Sequence, residues 1–163
     1  MKIGIFDSGI GGLTVFRQLM KKLPNNDYVY LGDTARLPYG IKSRKTVIEY
    51  SMKNTQFLIN KGCDLIVIAC NTASAFAYDI LRKKFNVPIF NVIDSGVSAV
   101  KDSGIRNIGI IATPSTIDSK TYSNRLKKVK NIKKIISKQC PISVSYTHLR
   151  AHETREDLVC RLL

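Results

Sequence analysis

Residues 64–72, with the sequence DLIVIACNT, decide the predicted fold. The apolar run from Leu65 to Ala69 lacks the polar alternation of a strand that has one face in water. Such a run is typical of a strand in a parallel sheet that is covered on both faces. Cys70 follows at once, and residues 72–85 have the spacing of a helix. The stretch therefore predicts a buried strand that ends in a polar turn and leads into a helix.

The same alternation continues on both sides of this stretch. Short apolar runs predict strands over residues 2–6, 28–31, 89–93 and 107–112, and helical patterns occupy residues 11–22, 44–60 and 95–103. In the long helix 44–60 the expected apolar side consists of Val47, Ile48, Met52, Leu58 and Ile59. Strands that alternate with helices in this way indicate an α/β fold with a doubly wound parallel sheet.

The composition is that of a globular domain. The chain has 163 residues, of which 44% are hydrophobic and 23% charged, and these values exclude wholesale disorder, collagen and coiled coil. No apolar run is long enough for a membrane helix. Asp7 and the glycines near the start do not fit a signal peptide, so we expect a cytoplasmic protein without a membrane partner.

The charge raises a second class of function. The formal net charge is +14, and residues 125–138 carry seven cations and no acid. A basic nucleic-acid-binding module is therefore an alternative. No aromatic residues interleave these cations, so we expect a solvated face and no nucleic-acid partner. The four cysteines form no CxxC pair, so we expect neither a metal site nor a disulfide framework.

Four motifs follow predicted strands, where an open parallel sheet binds its ligands. The first, DSGIGG at residues 7–12, could hold an anion at a helix start or could be a tight turn. It is not a dinucleotide fingerprint, because Thr14 stands in place of the third glycine. Asp7 would repel a phosphate, and it would suit an ammonium group or orient a nearby base.

The motif at Cys70 carries the clearest chemistry. The helix that begins there would favour a thiolate, so we expect a lowered pKa for Cys70. Asn71 and Thr72 would add donors for a carboxylate, although a small buried residue in a turn is the alternative reading. The chain has no histidine before His148, which excludes a papain-like pair of cysteine and histidine in the first 143 residues. A thiolate could still remove a proton from a carbon next to a carboxylate. Cys63, before the strand, is expected to be structural.

Two further loops complete the predicted ligand edge. In DTARLPYG, at residues 33–40, Tyr39 and Gly40 could close over a small ligand with O–H and N–H donors, or the segment could be a structured turn. In TPST, at residues 113–116, the hydroxyls could line a ligand, and Ser115 or Thr116 could cap the next helix.

Taken together, the DSGxGGL, DxxRxPYG, CNTAS and Thr-x-x-Thr motifs resemble those of bacterial glutamate racemases in order and spacing. The resemblance covers residues 1 to about 143. It implies a cofactor-independent enzyme with two α/β lobes, each of which supplies one cysteine base, and the D-glutamate product would feed peptidoglycan synthesis. It is also compatible with a homodimer of the full-length protein from which this chain would derive. Residues 1–93 would form the first lobe and residues 94–143 the start of the second.

The resemblance also assigns site residues. Cys70 would be the first base, and Asp7 would steer its proton chemistry. The substrate would be lined by Asp7, Ser8, Tyr39, Gly40, Asn71, Thr72 and Thr113. No metal or cofactor is implied. An aspartate or hydantoin racemase of the same superfamily is the alternative within this class, and the wording of the DSGIGG and PYG motifs favours glutamate.

The sequence also departs from the family pattern. The Cys-Thr-His triplet and the Glu expected in the second lobe are absent from the 163 residues. A single base can return a proton to one face only, so we expect no useful racemase activity from this chain, and low solubility. Residues 144–163 hold both histidines and no lysine, and resemble a translated sequencing-adapter read-through. We therefore expect them to be a non-native tail after a truncated gene.

Overall fold

The computed structural model describes residues 1–140, which fold into two parallel sheets with flanking helices. The first sheet has four strands in the order β2-β1-β3-β4. Its strands are β1 (Lys2–Asp7), β2 (Asp27–Gly32), β3 (Leu65–Ile68) and β4 (Ile89–Asn91), and its helices are α1 (Leu13–Lys22), α2 (Arg44–Asn60), α3 (Asn71–Lys84) and α4 (Val92–Ser103). The predicted α/β fold is confirmed.

Helices cover both faces of this sheet, so it is doubly wound as predicted. On one face Ile5 and Val67 pack against α1. On the other face Phe6 and Ile68 pack against α2 and α3. Successive residues of a strand point to opposite faces, and both faces are covered here. The apolar run at 65–69 is uninterrupted for this reason.

The second sheet contains β5 (Asn107–Ala112) and β6 (Lys134–Gln139), with α5 (Pro114–Asp118) and α6 (Thr121–Leu126) between them in the chain. Ile108, Ile110 and Leu126 form its small core. No helix within residues 1–140 is long and apolar enough to cross a membrane. The predicted tail, 144–163, lies outside the described residues.

One detail of the predicted elements was wrong. The strand expected over 89–93 ends at Asn91, because the Asn91 side chain caps a helix by accepting a hydrogen bond from the Asp94 N–H at 2.9 Å. Val92 and Ile93 therefore belong to α4.

The predicted apolar side of α2 is confirmed. Val47 and Leu58 are buried in the core, and Ile48, Met52 and Ile59 pack against it. Ser51, Asn54 and Thr55 take the remaining buried positions. Asn54 is buried because its carboxamide donates hydrogen bonds to Asp33 and Tyr39.

Candidate active site

The DSGIGG motif and the Cys70 motif meet where β1 and β3 end side by side. Phe6 pairs with Ile68 in the parallel register, so the residues two positions further on, Ser8 and Cys70, also face each other. The Cys70 thiol donates a hydrogen bond to the Ser8 hydroxyl at 3.4 Å. The chain leaves β1 for α1 on one face and β3 for α3 on the other. This is the topological switch point, where open α/β sheets bind their ligands.

Cys70 is the N-cap residue of α3, and its thiol is buried. Its sulfur accepts a weak hydrogen bond from the Ala73 N–H at 3.5 Å. The expected lowering of its pKa was wrong. Burial, reinforced by the negative charge of Asp7, raises the pKa of Cys70 to about 11, although the hydrogen bonds from Ser8 and Ala73 act in the other direction. At the N-terminus of α3, desolvation and the Asp7 charge therefore outweigh these hydrogen bonds.

Asp7 is buried at the end of β1 and is held by the glycine-rich loop. The Gly12 N–H donates to its Oδ2 at 2.9 Å. A Cβ atom at Gly12 would lie 2.7 Å from the Asp7 Cβ and 2.8 Å from the Ala69 Cβ, so only glycine fits. The loop thus directs a backbone amide at its own carboxylate, which favours the orienting role of Asp7 over an anion site.

Tyr39 belongs to a buried hydrogen-bond network behind the site. Its hydroxyl donates to Asp33 Oδ2 at 2.5 Å and accepts from Asn54 Nδ2 at 3.0 Å. Burial and the Asp33 carboxylate raise the pKa of Tyr39 above its ordinary value. In this structure Asp33 accepts the proton of the Tyr39 hydroxyl, so a ligand role of this O–H stays a prediction. The backbone N–H groups of Tyr39 and Gly40 remain as candidate donors.

Gly40 joins the first sheet to the second. A Cβ atom there would lie 2.5 Å from the Thr113 Cγ2, so the Gly40 backbone packs directly on that side chain. The Ser115 hydroxyl fastens the contact by donating to the Gly40 carbonyl at 2.7 Å. The two predicted loops at 33–40 and 113–116 thus touch each other.

Three threonine hydroxyls form a ring beside this contact. The Oγ1 of Thr72 lies 3.1 Å from that of Thr113 and 3.0 Å from that of Thr116, and the last two are 2.9 Å apart. Thr113 is the N-cap of α5, with its hydroxyl accepting from the Thr116 N–H. The prediction that Ser115 or Thr116 caps this helix was wrong, because Pro114 already occupies the first helical turn.

Asn71, the first residue of α3, is exposed. Its Oδ1 accepts a hydrogen bond from the Tyr122 hydroxyl at 2.7 Å. The structure thus brings Asp7, Ser8 and Cys70 together, and separately joins Gly40, Thr72 and Thr113. Asn71 sits at the edge between these groups, bonded to α6.

Three partners of the candidate side chains were not predicted from the sequence: Asp33, Asn54 and Tyr122. Asp33 opens the DTARLPYG motif, which was a usable signal. Asn54 could have been noticed as an amide at a position where α2 needs a buried residue. Nothing in the sequence distinguishes Tyr122, since its partner Asn71 is 51 positions away.

Several other groups lie outside the site. Cys63 is buried in the apolar core, as the sequence predicts. A cavity of about 270 Å³ lies behind Asp33 and Asn54, and Cys70 is not among its lining residues. Within residues 1–140 no cluster of three or more His, Cys, Asp or Glu could hold a metal ion. Cys160 and both histidines lie outside the described residues.

Comparison with known proteins places this chain in a family. Residues 11–158 match the family model described as Asp/Glu/Hydantoin racemase. The chain belongs to this family.

Three similar proteins are glutamate racemases. A curated glutamate racemase from Aquifex pyrophilus is 50% identical over 145 residues, which are 88% of this chain and 56% of that protein. The crystal structure of the Campylobacter jejuni enzyme superimposes with a TM-score of 0.87 at 38% identity, over 94% of this chain and 62% of that chain. The Francisella tularensis enzyme, solved in complex with D-glutamate, gives a TM-score of 0.84 at 42% identity, over 94% and 58%. This chain thus spans little more than half the length of its relatives.

Proposed function

We propose that this chain supplies one half of a cofactor-independent glutamate racemase, with Cys70 as one of two proton-transfer bases. The observation that carries the proposal is the buried Cys70 thiol, which is hydrogen-bonded to Ser8 and whose pKa is raised by the nearby charge of Asp7. The family membership and the glutamate racemases among the relatives support the same reaction.

The chemical step needs only the thiolate and the substrate. The Cys70 sulfur removes the Cα proton, and the electron pair left on carbon is delocalised into the adjacent carboxylate. Return of a proton to the opposite face of that carbon completes inversion. A thiol whose pKa is raised is ionised less often, but its thiolate is a stronger base toward a weakly acidic C–H bond.

Asp7 links substrate binding to this step. Its carboxylate raises the pKa of Cys70. An ammonium group of the substrate that docks beside Asp7 would offset this charge, and the thiolate would then form more readily. The carboxylates of the substrate would find donors in Asn71, Thr72 and Thr113 and in the backbone N–H groups of Ser8, Tyr39 and Gly40.

One base cannot invert a carbon by itself. The 163 residues contain no Cys-Thr-His triplet to serve as the opposing base. We therefore propose that this chain exchanges the Cα proton of the enantiomer that presents it to Cys70, and that inversion needs the longer form typical of its relatives. In that form the product would serve peptidoglycan synthesis in the cytoplasm, and a homodimer is a further proposal.

The test is a fusion that restores the full length. Residues 1–140 are joined to the C-terminal part of the Aquifex pyrophilus relative, and inversion of L-glutamate is followed by chiral chromatography. We expect inversion of glutamate, and a loss on the order of 10³-fold in Cys70→Ser, since a positioned base contributes about 10²–10⁴ in rate. Faster inversion of aspartate or of a hydantoin would move the assignment to the alternative racemases. Unchanged turnover in Cys70→Ser would overturn the role of Cys70.

A further inference from the structure

Tyr122 reaches from α6 of the second sheet to the start of α3, beside Cys70. Its hydroxyl lies 2.7 Å from the Asn71 Oδ1. We propose that Tyr122 is a positioning residue that fixes the Asn71 carboxamide with its NH₂ group turned toward the substrate carboxylate. The identity of the substrate rests on the proposed function. The orientation of the Asn71 carboxamide rests on its contact with Tyr122.

The direction of the hydrogen bond follows from what the phenol needs. The Tyr122 hydroxyl donates its proton to the Asn71 Oδ1, and a carboxamide oxygen is an acceptor that suits a phenol proton. Burial raises the pKa of Tyr122 to about 12, so the hydroxyl keeps its proton over the physiological range. The Asn71 oxygen therefore faces Tyr122, and the two N–H donors point from the other side of the planar amide.

Tyr122 is itself held in place from several sides. Its ring packs beside Gly96 of α4, where an added Cβ would meet ring atoms at 3.5 Å. Arg125, on the same helix, forms an ion pair with Asp94 and lies over the Tyr78 ring at 5.5 Å. These contacts tie α6 to α3 and α4, so the phenol is presented to Asn71 by packed structure.

The orientation of the amide matters for an anionic substrate. An Asn71 turned by 180° would present its carbonyl oxygen to a carboxylate, which repels it. The correct rotamer would have to be selected at each binding event, which weakens binding. Tyr122 selects the Asn71 rotamer before the substrate binds. Because Tyr122 belongs to α6, the position of α6 determines how the N–H donors at the start of α3 are oriented.

The experiment uses the 163-residue chain and the side-chain NH₂ signals in its ¹⁵N–¹H correlation spectrum. The Asn71 pair is assigned as the pair lost in Asn71→Ala. In Tyr122→Phe we expect this pair to shift, whereas the control Tyr28→Phe leaves it unchanged. Tyr28 donates its hydroxyl to the carbonyls of Leu19 and Leu23, away from the site, so it is a matched loss of one phenol oxygen.

The reciprocal variant guards against misfolding of Tyr122→Phe. Asn71→Ala should shift the ring signals of Tyr122 and leave those of Tyr28 in place. An Asn71 pair that is identical in wild type and Tyr122→Phe would overturn the proposal, as would Tyr122 ring signals that do not respond to Asn71→Ala.

Titration with glutamate supplies the functional readout. We expect Tyr122→Phe to weaken glutamate binding by about 3- to 10-fold, the range for one hydrogen bond. The same substitution should have no further effect in the Asn71→Ala background, because Tyr122 acts through Asn71. An additive loss would refute the positioning role. Glutamate that shifts no signal of the wild-type chain would count against the proposed function, and the amide spectra would then decide the orientation alone.

Discussion

The Cys70 sulfur and the Ser8 hydroxyl oxygen lie 3.4 Å apart although 62 positions separate them in the chain. The parallel register of β1 and β3 creates this contact, because Ser8 and Cys70 each lie two positions beyond the paired residues Phe6 and Ile68. A buried thiol, a hydroxyl and the carboxylate of Asp7 thus share one sheet edge. The chemistry of this edge depends on the protonation of Cys70.

Alkylation of Cys70 should report its raised pKa. With a pKa of about 11, the rate with iodoacetamide should rise about tenfold per pH unit from pH 7 to 10, because only the thiolate reacts. Peptide mass spectrometry separates Cys70 from the other cysteines. Since the Asp7 charge raises this pKa, Asp7→Asn should react faster at pH 8, and the surface control Asp27→Asn should not. A rate that levels off near pH 7 would contradict the account.

Removing the Asn54 carboxamide should destabilise the fold. Asn54→Ala leaves the Tyr39 hydroxyl without its buried donor, so we expect a loss of about 1–3 kcal/mol in the free energy of unfolding. Urea denaturation measures it. The control is Asn60→Ala at the exposed end of the same helix, where a change within about 0.5 kcal/mol is expected. Equal effects of the two substitutions would argue against the network.

Gly40→Ala should disrupt the contact between the two sheets. The added Cβ would overlap the Thr113 side chain, so we expect a loss of about 1–3 kcal/mol, typical of overpacking. Gly109→Ala is the matched control, because a Cβ there meets nothing within 4 Å. Thermal unfolding of both variants makes the comparison. A Gly40→Ala chain as stable as Gly109→Ala would show that the Gly40–Thr113 contact is not as close as described.

The cation-rich segment 125–138 should not make this chain a nucleic-acid-binding protein. Arg125 is already engaged with Asp94 and the Tyr78 ring, and the lysines of this segment lie near a small sheet without interleaved aromatics. A gel-shift titration with duplex and single-stranded DNA should give only weak binding that disappears as salt is raised. Tight binding that persists at 0.2 M salt would favour the alternative function.

The fold could be predicted from the sequence because its signals are local. The apolar runs and helical spacings are read within short windows, and they predicted the α/β alternation and the bounds of α2 and β5 correctly. The end of β4 could not be read in this way, because Val92 and Ile93 are equally suited to a strand by composition. The capping bond of Asn91 decides the boundary there.

The candidate site was only partly predictable, for a different reason. Strand ends gave Asp7, Ser8 and Cys70, since topology alone brings them to one edge. The predicted direction of the pKa shift of Cys70 was wrong, because the degree of burial and the distance to Asp7 cannot be read from the sequence. The partner of Tyr39 was missed for the same reason, since Asn54 reaches it from another element.

The central claim is that Cys70 is a base for the Cα proton of glutamate, and isotope exchange tests it most directly. The chain is incubated in D₂O with L- or D-glutamate, and Cα deuterium is measured by mass spectrometry beside chiral analysis. We predict deuterium in one enantiomer only, without inversion, at a rate that rises with pH and is lost in Cys70→Ser. Exchange that persists unchanged in Cys70→Ser, or that is equal for both enantiomers, would contradict the account.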